Sequence, residues 1–185
     1  MSFQHRKSAE QPVEVINMTE SVYQTRLGNY FLGQTGLLTF GERNYAWGGL
    51  FNPSDSGIHL LCDVFTVTNY SPNPFTVEFW LKNNSLGKGT VSRNVASVNQ
   101  AICPIPIPKV ELRDADRLSE SPKDGLFSFV QIAEPKSTVT NDLQGMIILP
   151  PGSSIIAFLR SQERGTVPSR VGFGWWEDPA PLTNG

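Results

Sequence analysis

The chain has 185 residues, 39% hydrophobic and only 17% charged, with a formal net charge of −2. That length suits one domain around one core, and the near-neutral, mixed charge excludes the basic footprint that a nucleic-acid backbone demands. No apolar run approaches the roughly 20 residues of a membrane-spanning helix, and 16 glycines and 14 prolines interrupt almost every window long enough for three helical turns, so short strands and turns remain.

Residues 1–27 are the most polar segment and read as an N-terminal arm, ahead of a domain at 28–178 and a short tail at 179–185. The opening MSFQHRKSAEQPVEV has basic residues but no apolar stretch of signal-peptide kind. Either the protein is made in the cytoplasm and used without classical secretion, or a processed leader preceded this sequence. Pro12-Val13-Glu14-Val15-Ile16 alternates as a strand does, whereas residues 17–27 suit a short helix with Asn17 or Thr19 as N-cap and Gly28 just past the end. Two readings follow: a disordered tail, or an extension that adds a strand to a neighbouring subunit's sheet, with Val13, Val15 and Ile16 as interface candidates.

From Asn29 onward short apolar runs alternate with turn residues. Residues 30–32 and 37–40, separated by Gly33-Gln34-Thr35-Gly36, predict a hairpin. An aromatic, glycine-rich stretch at 46–51 meets the turn cluster 52–57, and 59–69 then reads as a long strand that is apolar on both faces. After a turn at 70–74, Phe75, Val77, Phe79 and Leu81 alternate with Thr76, Glu78, Trp80 and Lys82, the clearest strand signal in the chain. These two strands are predicted to pair antiparallel across the short loop.

Residues 83–90 are turn-like and 91–98 a weaker strand, while the alternating prolines of 103–108 remove ladder donors and confine that segment to an edge. Residues 109–113 extend it, and the charged run 114–125 predicts a loop. Further strands are predicted at 126–132, 143–149, 154–160 and 171–176, with loops at 135–141 and 150–153. Roughly eight to ten short strands at this spacing predict an all-β fold, an antiparallel β-sandwich of jelly-roll type with an N-terminal extension. A parallel α/β fold would need helical crossovers that the prolines forbid.

The pieces of a catalytic centre do not assemble. His5 lies in the arm and His59 opens a strand, with no nucleophile drawn to either. The strand-borne carboxylates Asp63, Glu78, Glu111 and Glu177 carry no pairing signal of the glycosidase kind and read as salt-bridged or solvated groups. Asp63 interrupts an apolar strand, so it reads as a polar anchor that must find hydrogen bonds or a cation. The glycines between 33 and 49 lack the strand-to-helix context and following lysine of a phosphate loop, and Asn83-Asn84 and Asp114-Asp116 lack the ordered acidic spacing of a calcium loop. Two cysteines and two distant histidines are too few for a metal site. No enzyme activity, cofactor or metal is expected. Cys62 and Cys103 permit one disulfide, although Cys62 sits in an apolar stretch where a reduced thiol serves as a small hydrophobe. Trp80, on the outward phase of its strand, and the adjacent Trp175 and Trp176, which point to opposite faces, are candidates for a subunit interface, for loop-covered core, or for stacking on a sugar.

Four runs carry a resemblance: Leu50-Phe51-Asn52-Pro53 with Ser56-Gly57; Val64-Phe65-Thr66-Val67-Thr68-Asn69-Tyr70-Ser71; Pro74-Phe75-Thr76-Val77-Glu78; and Leu149-Pro150-Pro151-Gly152-Ser153. Together they resemble a family of small proteins from spore-forming bacteria, similar in architecture to the jelly-roll subunits of bacterial endospore appendages. The resemblance implies an N-terminal arm that docks on a neighbour, sheets joined by strand augmentation, and deployment on a spore or particle surface. Appendage subunits carry cross-linking cysteines in the arm, and residues 1–27 contain none. The expected function is therefore a non-enzymatic, self-assembling structural subunit forming a homo-oligomer or fibre. The alternative is a carbohydrate- or surface-binding module, a phage-fibre or spore-coat accessory, that uses exposed Trp residues. Neither nucleic-acid binding nor membrane insertion is expected.

Overall fold

A computed structural model describes residues 15–82, 86–162 and 165–179. One helix, α1 (Glu20–Leu27), precedes strands β1 (Tyr30–Gln34), β2 (Leu38–Phe40), β3 (Tyr45–Phe51), β4 (Ile58–Asn69), β5 (Phe75–Leu81), β6 (Thr90–Val91), β7 (Val95–Ser97), β8 (Glu111–Leu118), β9 (Leu126–Ala133), β10 (Thr138–Leu149), β11 (Ser154–Arg160) and β12 (Val167–Pro179). The strands form two antiparallel sheets packed as a sandwich, as expected. One runs β10-β4-β12-β1-β7 with β2 also on β12, and the other runs β6-β8-β3-β11-β5-β9.

The core follows from the period of two. Along β4 the side chains of Ile58, Leu60, Cys62, Phe65 and Val67 are buried while those between them are partly covered, with the phase shifting at Asp63-Val64. Phe75, Val77 and Phe79 of β5 face them from the other sheet, and the rings of Phe65 and Phe79 stand 4.2 Å apart. Fully burying a side chain of this size contributes about 2–3 kcal/mol. A second, smaller cluster lies on the outer face of the β3-β11-β5 sheet, where Trp47, Ile156 and Phe158 are fully buried under Leu86, Tyr45, Phe51 and Trp80.

Several local expectations change. β4 and β5 are not a hairpin; they lie in opposite sheets, because the loop after Asn69 carries the chain over the end of the sandwich. β1 and β2 do not pair with each other either. Both lie along β12, and Thr35 between them exchanges two bonds with Val171: its N–H donates to the Val171 carbonyl (2.9 Å) and its hydroxyl accepts from the Val171 N–H (3.1 Å). The charged run expected as a loop begins as β8, since Asp114 and Asp116 accept the N–H groups of Gly36 and Thr39 from the opposite sheet and are thereby accommodated. β10 starts at Thr138, earlier than expected, because its polar residues face outward, where the Thr138 and Thr68 hydroxyls meet at 3.1 Å. Residues 91–98 divide between β6 and β7 in different sheets, and the proline-rich 103–108 joins no ladder.

Two buried asparagines hold the crossings at opposite ends of β4. Asn52 donates from Nδ2 to the carbonyls of Ile58 (2.8 Å) and Leu149 (3.0 Å), and its Oδ1 accepts the Ser56 hydroxyl. Its backbone closes on the 150–153 turn through Gly152 and Ser153. Asn69 places Nδ2 within 3.0 Å of the carbonyls of Asn73, Ala133 and Glu134, and its Oδ1 accepts both the N–H and the hydroxyl of Ser71. Two glycines are required by geometry: Gly28, at φ 83, ends α1 against Ile102, and Gly145, at φ +74, lies where any Cβ would fall 2.2 Å from the Trp176 ring.

Asn69→Ala strands buried carbonyls and a buried N–H at a cost of about 2–4 kcal/mol, which for a domain of this size lowers Tm by roughly 5–15 °C. Asn69→Asp, which cannot donate, does not restore it. Circular-dichroism melts of the three proteins check this, and an unchanged Tm in the alanine variant would contradict the clamp.

Candidate functional site

The segment ahead of the sandwich is the first candidate. α1 follows Thr19, whose backbone is extended as an N-cap requires, carries Glu20 in its first turn and Arg26 in its last, and ends in the left-handed Gly28. Its orientation is inverted relative to an ordinary amphipathic helix. The buried side chain is polar Gln24, which donates to Asp178 (3.0 Å) and Glu20 (2.8 Å) and accepts from Asn29 (3.0 Å). Val22, Tyr23 and Leu27 face solvent at 45–51% exposure, and ahead of the helix Val15 and Ile16 are 75% and 68% exposed. Val13 lies outside the described residues.

Beside α1 is a cavity of about 500 Å³ lined by Thr19, Glu20, Asp63, Asp142, Gln144 and Trp176. Asp63 accepts the Tyr30 hydroxyl at 2.6 Å, the anchoring role expected of it, and Asp142 lies near Gln144. Burial and, after it, the bond to Asp63 push the Tyr30 hydroxyl up, so it stays protonated and keeps donating. Asp178 is also raised, first by burial and then by Glu20. A shallower cleft of about 340 Å³ crosses the outer face of the first sheet between Leu32, Gln34, Thr66 and Asn94, over Gly172.

The remaining candidates have structural tasks. Glu177 is neither salt-bridged nor solvated: it is buried, and its carboxylate accepts the N–H groups of Lys109 and Val110, both at 2.9 Å, tying the end of the proline-rich segment to β12. Glu78 pairs with Arg160 at 3.1 Å and Glu111 with Arg113. His59 is half-buried on β4, and His5 lies outside the described residues. Among the described residues no three His, Cys, Asp or Glu side chains gather as a metal-binding group, and no helix is long and apolar enough to cross a membrane.

Trp175 and Trp176 point to opposite faces as alternation requires, yet neither is available to a partner. Trp175 is fully buried against Phe31 in the core. Trp176, 2% exposed, is covered on the outer face by Tyr30 and by the turn at Gly145. This corrects their place as interface candidates, and the cover comes from β1 and β10, far away in sequence. Trp80 remains half-exposed, edge-on to Phe127 at 5.2 Å. Trp47, which the sequence reading passed over, is buried on the outer face of its sheet.

Cys62 and Cys103 are both free, one buried and one exposed, so no bridge joins them. Burial, reinforced by Asp63, pushes the Cys62 thiol up to about 12. An aromatic-disulfide reagent at pH 8 is expected to titrate one thiol in the native protein and two in denaturant. Two fast-reacting native thiols, or a Cys103→Ser variant that still reacts rapidly, would contradict this arrangement.

No curated protein and no solved structure matches the chain. One family model matches residues 2–182, a span that takes in the arm, α1 and both sheets, and on that match the chain belongs to a family of unknown function, DUF6143.

Proposed function

We propose that this chain is a non-enzymatic structural subunit that self-assembles into an oligomer or fibre, its N-terminal arm contacting a neighbouring subunit. The observation that carries this reading is the inverted arm: Val15, Ile16, Val22, Tyr23 and Leu27 are turned to solvent while a glutamine holds α1 to the body. Apolar side chains that find no cover on their own domain are suited to cover from another.

The strand order supports a jelly-roll reading. Between β1 and β12 successive main strands alternate between sheets except at β5 and β9, placing β10-β4-β12-β1 opposite β3-β11-β5-β9 with residues 82–125 inserted between β5 and β9. The likeness to endospore-appendage subunits points the same way, toward display on a spore or particle surface. With no cysteine in residues 1–27, contact through the arm is non-covalent. The burial of Trp175 and Trp176 leaves a sugar-stacking reading with Trp80 alone.

Electron microscopy and sedimentation of the full-length protein test the proposal. The expected result is discrete oligomers or fibres for the wild type, and a shift toward monomer in the Val15→Asp/Ile16→Asp variant with its circular-dichroism spectrum unchanged. A wild type that remains monomeric up to millimolar concentration would overturn it.

A further inference from the structure

The two flanks of the sandwich are finished differently. On one flank residues 82–125 add β7 beyond β1, and β8 and β6 beyond β3. β6 and β7 are two and three residues long, and β8 carries Glu111, Arg113, Asp114, Asp116 and Arg117. Short strands and charge are what keep a sheet edge from pairing with another chain. On the opposite flank β10 is broken by a register shift between Asp142 and Ile147. β9 is eight residues long and carries no charge of the kind found on β8. Among the described residues it pairs with β5 alone, and its sequence LFSFVQIA contains neither charge nor proline. After an irregularity at Ser128, residues 129–133 run in unbroken register with β5. Val130 and Ile132, 53% and 61% exposed, project from the outer face beside Phe127, at 54%. On that face the charges of the neighbouring strands, Glu78 of β5 and Arg160 of β11, pair with each other.

We propose that β9 is a seam at which a second copy of this chain adds edge to edge, β9 antiparallel to β9, joining two six-stranded sheets into one continuous sheet. A second copy fits because a neutral strand meets itself without repulsion and the alternating Val130 and Ile132 side chains of both copies fall on one face. Ladder bonds along residues 129–133 supply most of such a contact, as in other strand additions, with the flanks of Val130, Ile132 and Phe127 covered beside them. The seam rests on the self-assembly reading and names a surface distinct from the arm; a two-fold seam combined with a separate arm contact gives each subunit two unlike faces, the condition for growth beyond a dimer.

Sedimentation of the full-length chain is compared with Val130→Lys/Ile132→Lys, two exposed changes that leave the core intact, and with Val15→Asp/Ile16→Asp. The lysine pair is expected to raise the dimer dissociation constant on the order of tenfold or more without changing Tm. In a Cys103→Ser background, single cysteines at Ser128, Val130 and Ile132 are oxidised; at least one yields a covalent dimer, whereas Val91→Cys on the opposite edge does not. Association that is lost in the arm variant but unaltered by the lysine pair overturns the seam and leaves the self-assembly reading standing. A wild type that never associates overturns both.

Discussion

At either end of β4 the chain passes from one sheet to the other and leaves carbonyls that no ladder takes, and two asparagines receive them. A buried, unpaired carbonyl costs on the order of 1–3 kcal/mol, comparable to the gain from burying one core side chain. Asn52 and Asn69 bracket β4, the strand that lies between β10 and β12, and each gathers groups from segments far apart in sequence. Asn52 joins the 52–57 loop to the end of β10 and the following turn; Asn69 joins the 70–74 loop to the end of β9. The serines at 56 and 71 orient the two amides by donating to their Oδ1 atoms.

These clamps explain why particular short runs stand out in the sequence. Asn52 with Ser56, Asn69 with Ser71, and the 149–153 turn are short turn-forming runs set between apolar strands. In the fold they are the corners of one frame. Their chemistry is structural, and so is that of the buried carboxylate Glu177, whose partners are backbone N–H groups and not a substrate. Apolar side chains stay exposed elsewhere, on the outward side of α1, on the residues before it, and on the face of β9.

Much of the sandwich was legible beforehand because alternation reports burial directly. Phe75, Val77 and Phe79 declared their face, as did the terminal run around Trp175. The helix was bracketed by Thr19 and Gly28, residues whose backbone preferences act locally. Pairing was not legible. The expected hairpins β1-β2 and β4-β5 failed because a short loop, glycine-containing at 33–36 and rich in proline at 70–74, suits a tight turn and a longer connection equally well. β8 was hidden by its charges, since nothing near Asp114 in sequence indicates that Gly36 will supply a donor.

The sequence by itself determined the class of fold, the phase of β5 and the end of any helix at Gly28, since these depend on period, propensity and capping within a few residues. Only the tertiary structure decided which surfaces remain open. Trp176 is covered by Tyr30 and Gly145, and among the described residues β9 pairs only with β5, since β6, β7 and β8 lie on the other flank. Exposure depends on what arrives from distant parts of the chain, and alternation along one strand carries no information about that.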